Sequence, residues 1–151
     1  MKEILHHKTL DYVINYPDDY EEGKKFPLLI HLHGAGTRGN DISLVADTAV
    51  GPLGEINRGV RLPLIIAAPQ CPGKTWFEYS ETLLSLIDTL VAREDVDRSR
   101  VYLCGISMGG YACWQVATVR AELFAAVMPV CGGGMPWAAG YMKGLPVWAH
   151  H

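Results

Sequence analysis

Gly105-Ile106-Ser107-Met108-Gly109 sets a serine in a G-x-S-x-G pentapeptide between two runs of opposite character. Before it, Val101-Tyr102-Leu103-Cys104 reads as a short buried strand; after it, Tyr111-Ala112-Cys113-Trp114-Gln115-Val116-Ala117 reads as a helix. A strand that turns at once into a helix leaves little room at the corner. Glycines on both sides let the turn close and the helix approach the strand, and the serine between them takes a strained backbone with its hydroxyl exposed, a nucleophile elbow. The helix that follows begins with backbone N–H groups that have no intrahelical acceptor. About one random chain of this size in 20 carries such a pentapeptide, so its weight comes from context.

The second part of that context lies upstream, where Pro27-Leu28-Leu29-Ile30-His31-Leu32 runs directly into His33-Gly34-Ala35-Gly36. A glycine-rich turn leaving a strand can aim a backbone N–H at an oxygen held beside the serine. Such an oxyanion hole needs one N–H from that turn and one from the residue after the nucleophile. The positions are Ala35, with Gly36 as the alternative, and Met108.

The 151 residues suffice for one domain with a substantial core, and 49% hydrophobic against 19% charged residues describes a globular chain. A net charge of −3 argues against nucleic acid as a partner. No run of 18 apolar residues indicates a membrane span. Met1 to Lys8 has no apolar signal core, so a cytoplasmic location is the expectation. The cysteines Cys71, Cys104, Cys113 and Cys131 match neither a zinc ribbon nor C-x-x-C, and read as small buried reduced residues. Histidines and carboxylates do not recur at ligand spacing, there is no Walker loop, and Gly132-Gly133-Gly134 lacks the helix start and distal acid of a dinucleotide fingerprint. No metal and no cofactor is expected.

Strands are expected at Leu10–Tyr16, Pro27–Leu32, Leu62–Ala68, Arg100–Cys104 and Phe124–Val130, with another beginning at Leu145–Ala149. Helices are expected at Asp41–Ala49, ended by Gly51-Pro52, at Ser80–Ala92 with Ser80 as N-cap, and at Ser107–Thr118. Short apolar strands alternating with helices imply an α/β fold with a mostly parallel sheet flanked by helices. The His33 turn, the Gln70–Trp76 loop, the Ser107 turn and the Gly132 loop each follow a strand's C-terminal end, where open α/β sheets place their ligand sites. Trp76, Phe77, Tyr79, Met135 and Trp137 sit on loops at that edge, and Trp76, Trp137 and His33 are the candidate substrate-pocket residues. Period-two alternation sets His31 on the strand face opposite Leu32, as a satisfied core or rim residue. Asp97, followed by Arg98 and Arg100, reads as fixing the turn before its strand, and Trp114 as core.

Taken together, these segments resemble the α/β-hydrolases. The similarity is to the phospholipase/carboxylesterase and dienelactone-hydrolase-like group, with its predicted-peptidase and feruloyl-esterase-like members. It runs from about Phe26 to the C-terminus through Leu32-His33-Gly34-Ala35-Gly36-Thr37-Arg38-Gly39-Asn40-Asp41, Ala68-Pro69-Gln70-Cys71-Pro72, Asp97 to Gly105, Leu123 to Val127, and Pro129-Val130-Cys131-Gly132-Gly133-Gly134. The resemblance implies a serine carboxylesterase acting on a small-molecule ester, small or aromatic, through an acyl-enzyme on Ser107. Dienelactone hydrolases proper use a cysteine, and here the position is Ser107.

A serine hydroxyl needs a histidine to take its proton and a carboxylate to orient that histidine, in this fold in the chain order Ser, acid, His. After Ser107 the only acidic residue is Glu122 and the only histidines are His150 and His151. Glu122 reads as a surface residue, and the resemblance makes His151 part of a turn rather than the base. The expectation is therefore a hydrolase domain with its C-terminal strands, triad acid and histidine missing, and impaired for that reason. The alternative is a non-catalytic module that binds acyl or aryl ligands, or a homo-oligomer pairing through the exposed sheet edge.

Overall fold

The computed structural model describes residues 1–151. Six strands form one sheet: β1 (Lys2–His7), β2 (Leu10–Asn15), β3 (Phe26–Leu32), β4 (Ile65–Pro69), β5 (Val96–Ile106) and β6 (Ala126–Val130). Their order is β1-β2-β4-β3-β5-β6. The β4-β3, β3-β5 and β5-β6 pairs are parallel, while β1-β2 and β2-β4 are antiparallel. Four helices accompany them: α1 (Ser43–Ala46), α2 (Gly51–Asn57), α3 (Ser80–Val91) and α4 (Met108–Val119). This is the α/β-hydrolase architecture anticipated from the motifs.

Alternation along the strands decides what covers each face. On β3, Leu28, Ile30 and Leu32 are buried with Leu83, Leu86, Ile87 and Leu90 of α3 and with Ala112, Val116 and Ala117 of α4. On the other face Val13, Ile66 and Ala68 pack with Val45, Ala46 and Leu53 of α1 and α2. The sheet is thus buried on both faces, which is why β4 reads as the unbroken apolar run Ile65-Ile66-Ala67-Ala68 rather than as an alternating one.

Several expected boundaries shift for identifiable reasons. Gly51-Pro52 begins α2 instead of ending the previous helix, because Pro52 occupies the first turn, where its missing N–H costs nothing. Ser80 is the first residue of α3 rather than its cap, which is Tyr79; the capping box lies one turn earlier, where the Thr75 N–H donates to Glu78 at the start of the 3-10 turn Trp76–Tyr79. β1 pairs with β2 from Lys2 to His7 although its sequence is mostly polar, as suits an edge strand exposed on alternate residues. β5 starts at Val96, since Asp97 accepts the Ser99 N–H, the Ser99 hydroxyl and Arg100 Nε and holds an extended start. The segment after Leu145 forms no continuous strand, but it runs parallel to β6 through the bridges Val127–Val147 and Val130–His150 and four backbone hydrogen bonds. Cys71, Cys104 and Cys113 are buried free thiols, whereas Cys131 is exposed on the turn after β6. Trp114 is half-buried, not core.

Candidate active site

Ser107 occupies the one-residue corner between β5 and α4, at φ 53° and ψ −116°. A non-glycine residue held there stores about 1–3 kcal/mol of strain. Two bonds hold it: Ser107 N–H donates to Val130 O at 2.8 Å, and Tyr111 N–H donates to Ser107 O at 3.0 Å. The Ser107 side chain is exposed and caps nothing in the helix. Its hydroxyl is therefore free to react.

The glycines explain how the corner closes. A Cβ at Gly105 would stand 2.2 Å from Gly109 O, and one at Gly109 would stand 1.9 Å from Leu32 O. These are backbone-to-backbone approaches that no side chain fits. The pentapeptide anticipates both. It does not anticipate Gly110 and Gly132, which pack against each other: a Cβ on Gly132 would lie 2.3 Å from Gly110 C. That contact joins residues far apart in sequence and leaves no local signal.

The second arm of the site is the 3-10 turn Ala35–Thr37. A Cβ placed on Gly34 would lie 3.5 Å from Ser107 Cβ, so the turn runs directly beside the serine. Ala35 opens its turn and Met108 opens α4, and the N–H of a first helical residue has no acceptor within its own helix. Two unpaired donors thus flank Ser107. The turn is lashed to the loop after β4. Gln70 Nε2 donates to Thr37 O at 2.8 Å and to Asp41 O at 2.9 Å. Arg38 Nε donates to Ala35 O at 2.9 Å and its Nη1 to Lys74 O at 2.9 Å. Both residues fall within the motifs that carry the resemblance, but nothing local in the sequence shows that they clamp this turn.

A cavity of about 350 Å³ opens on Ser107, lined by His31, His33, Gly34 to Thr37, Val45, Thr48, Val50, Leu53 and Ile106. Of the expected site residues, Ser107, Ala35, Gly36 and His33 come together there. Met108 adjoins through the chain. Trp76 does not line the cavity: it is buried and its indole N–H donates to His33 O at 3.1 Å, because a buried indole needs an acceptor. Trp137 is 81% exposed in the 3-10 turn Pro136–Met142 and does not line the cavity either.

His33 is fully committed. Its Nδ1–H donates to Gly34 O at 2.6 Å, and its Nε2 accepts the Cys71 N–H at 2.9 Å. This fixes one neutral tautomer, and burial lowers its pKa. His31 is buried with Nδ1 3.1 Å from Cys104 Sγ. Burial pushes His31 down to about 4 and the Cys104 thiol up to about 12, so both are neutral near pH 7. No carboxylate lines the cavity. Glu122 is ion-paired with Arg120 at 2.8 Å, beyond the far end of α4. His150 lies beside β6 with its ring against Trp148. No cluster of three His, Cys, Asp or Glu side chains could hold a metal, and no helix is long and apolar enough to cross a membrane.

Residues 79–142 match the prolyl oligopeptidase family. A probable feruloyl esterase C of Aspergillus oryzae is 31% identical over 133 residues, covering 84% of this chain and 48% of that protein. The crystal structure of a thermostable esterase superposes with a TM-score of 0.79 at 30% identity, covering 100% of this chain and 46% of that one. The feruloyl esterase module of Clostridium thermocellum, as a mutant complexed with sinapinate, superposes at 0.72 with 18% identity, covering 99% of this chain and 65% of that one. The chain spans about half the length of the curated relatives it matches.

Proposed function

We propose that this chain, an α/β-hydrolase of the esterase-like group, supplies the nucleophile and oxyanion-binding half of a serine carboxylesterase. The observation that carries the reading is the exposed Ser107 hydroxyl at positive φ, flanked by the two unpaired N–H groups of Met108 and Ala35. The corner acts as a nucleophile elbow. Ser107 Oγ attacks the ester carbonyl carbon and gives its proton to a base. The carbonyl oxygen, now an oxyanion, takes the N–H groups of Met108 and Ala35, with Gly36 as the alternative to Ala35. Collapse breaks the C–O bond to the alcohol and leaves the acyl group on Ser107, from which water releases it. The feruloyl esterase relatives and the apolar walls Val45, Val50, Leu53 and Ile106 favour an aromatic acyl group.

The triad base and the carboxylate that would orient it are not in this cavity: both His33 nitrogens are occupied, and no carboxylate stands there to orient His31, which burial holds at about 4. Hydrolysis of p-nitrophenyl acetate and butyrate, with Ser107→Ala alongside, tests the reading. Oxyanion stabilisation and binding alone leave about 10³–10⁴ over water. Weak turnover above buffer is therefore expected, and Ser107→Ala lowers it less than about tenfold, since triad members act as a unit. Turnover abolished in the mutant would show a complete triad within these residues. No turnover in either protein would count against the oxyanion site itself.

A further inference from the structure

The turn Ala35–Thr37 does not hold its own shape. Its two internal hydrogen bonds are long: Thr37 N–H reaches Gly34 O at 3.4 Å and Arg38 N–H reaches Ala35 O at 3.5 Å, beyond the usual range of about 2.7–3.2 Å. The loop after β4 supplies shorter ones. Cys71 N–H and the Trp76 indole hold His33 just before the turn, and Gly39 N–H donates to Cys71 O at 3.0 Å just after it. Of the two side chains that clamp the turn, Arg38 is exposed, so water competes for its bonds. Gln70 is 2% exposed, and its amide bridges Thr37 O at 2.8 Å and Asp41 O at 2.9 Å. With Nε2 between two carbonyl oxygens the amide has one orientation only, because the reverse sets oxygen against oxygen. Gln70 Oε1 is left without a partner in the protein, the one buried side-chain nitrogen or oxygen for which this is so. A buried acceptor without a partner destabilises a fold, whereas an apolar side chain of the same shape is nearly neutral. Asp41 is exposed and Thr37 half-buried, so water can replace the amide at their carbonyls. Stability alone does not call for a glutamine here.

We propose that Gln70 is a positioning residue, whose amide sets the Ala35–Thr37 turn so that the Ala35 N–H faces the oxygen that becomes negative at Ser107. The inference rests on the esterase reading above. Gln70 does not line the cavity and touches no substrate; it acts through the turn. A three-residue turn with long bonds of its own shifts easily. Two short bonds from one buried amide tie Thr37 to Asp41, and Thr37 is two residues from Ala35. A preorganised donor stabilises an oxyanion only while it is aimed at it, and a displacement of about 1 Å can slow a reaction about 10²-fold. The fold thus tolerates an orphaned oxygen at Gln70 and gains a fixed donor at Ala35.

Gln70→Met keeps the shape of the side chain and removes both donors, and three measurements on the 151-residue chain test it. The urea midpoint should match that of the unmodified protein. Phosphonylation of Ser107 by excess aryl fluorophosphonate should slow about tenfold at saturating reagent, with the half-saturating concentration unchanged. That loss is smaller than the 10²–10³ or so of deleting a donor, because the donor is loosened and not removed. The backbone ¹⁵N order parameters of Ala35, Gly36 and Thr37 should fall from about 0.85 towards about 0.6. A variant that reacts as fast as the unmodified protein, or whose order parameters are unchanged, would overturn the proposal. So would a midpoint that falls in step with the rate, or a variant that fails to fold, since Gln70 would then be structural only. If the unmodified protein carries no phosphonyl group on Ser107, the esterase reading falls, and the order parameters alone decide whether Gln70 fixes the turn.

Discussion

At the scale of single residues, charge state governs what the two cavity histidines can do. His31 is held down to about 4 by burial, against an ordinary value of 6.5, and His33 is lowered as well. Both are neutral in the fold, while the unfolded chain protonates them below about pH 6.5. The unfolded state then binds more protons, so stability is complete above that pH and is lost as pH falls from 6.5 towards 4. The His31 share is on the order of 3 kcal/mol. Urea unfolding at steps between pH 7 and pH 4.5 should show this loss, and His31→Gln should flatten it; a profile unchanged in the variant would contradict the assignment. His6, at the surface beside Asp11, works in the opposite sense, since its pKa is raised.

At the scale of elements, the contact of α4 with the end of β3 controls the site. A Cβ at Gly109 would meet Leu32 O at 1.9 Å, whereas one at Gly36 would meet nothing within 4 Å. Gly109→Ala should therefore destabilise by about 3 kcal/mol, the upper end of ordinary overpacking. Gly36→Ala should be neutral or slightly stabilising. Denaturant midpoints of the two variants check this, and equal midpoints would refute the close approach. The same contact marks the limit of what the sequence reveals. Gly105 and Gly109 belong to a local pattern and were legible. Gly110 against Gly132, and Gln70 on the Ala35–Thr37 turn, depend on residues brought together only by the sheet order. Trp76 and Trp137 show the converse error: loop position suggested a shared pocket, but one aromatic turned inward to satisfy its indole N–H and the other stayed in solvent. Strands β3 to β6 were recognisable as apolar runs, while β1 was not, since pairing with β2 rather than composition makes it a strand.

At the scale of the molecule, the sheet has two outer strands of different character. β1 is polar and exposed on alternate residues. β6 is covered on its outer side by residues 146–150, which exchange four backbone hydrogen bonds with Val127, Pro129 and Cys131, and Trp137, Tyr141 and Trp148 stand 81%, 75% and 68% exposed in the segments that follow it. We propose that these exposed aromatics, beside an edge already covered by residues 146–150, pair with a second copy. Sedimentation velocity of the 151-residue chain should show a coefficient that rises with concentration, and Trp148→Lys should reduce the effect. A concentration-independent monomer would rule out self-assembly through these aromatics.

The central claim is that Ser107 is a nucleophile poised between two oxyanion donors, and covalent trapping tests it most directly. Prolonged treatment with excess aryl fluorophosphonate, followed by intact mass and peptide mapping, should give slow phosphonylation confined to Ser107, since no base in the cavity activates its hydroxyl. The rate should fall about 10²–10³ in Ala35→Pro, which deletes one oxyanion donor. Gly34, at ψ −178°, already has the extended backbone that a following proline requires, so that variant should keep the fold. A folded protein whose adducts are scattered over other hydroxyls, or that carries none on Ser107, would contradict the account.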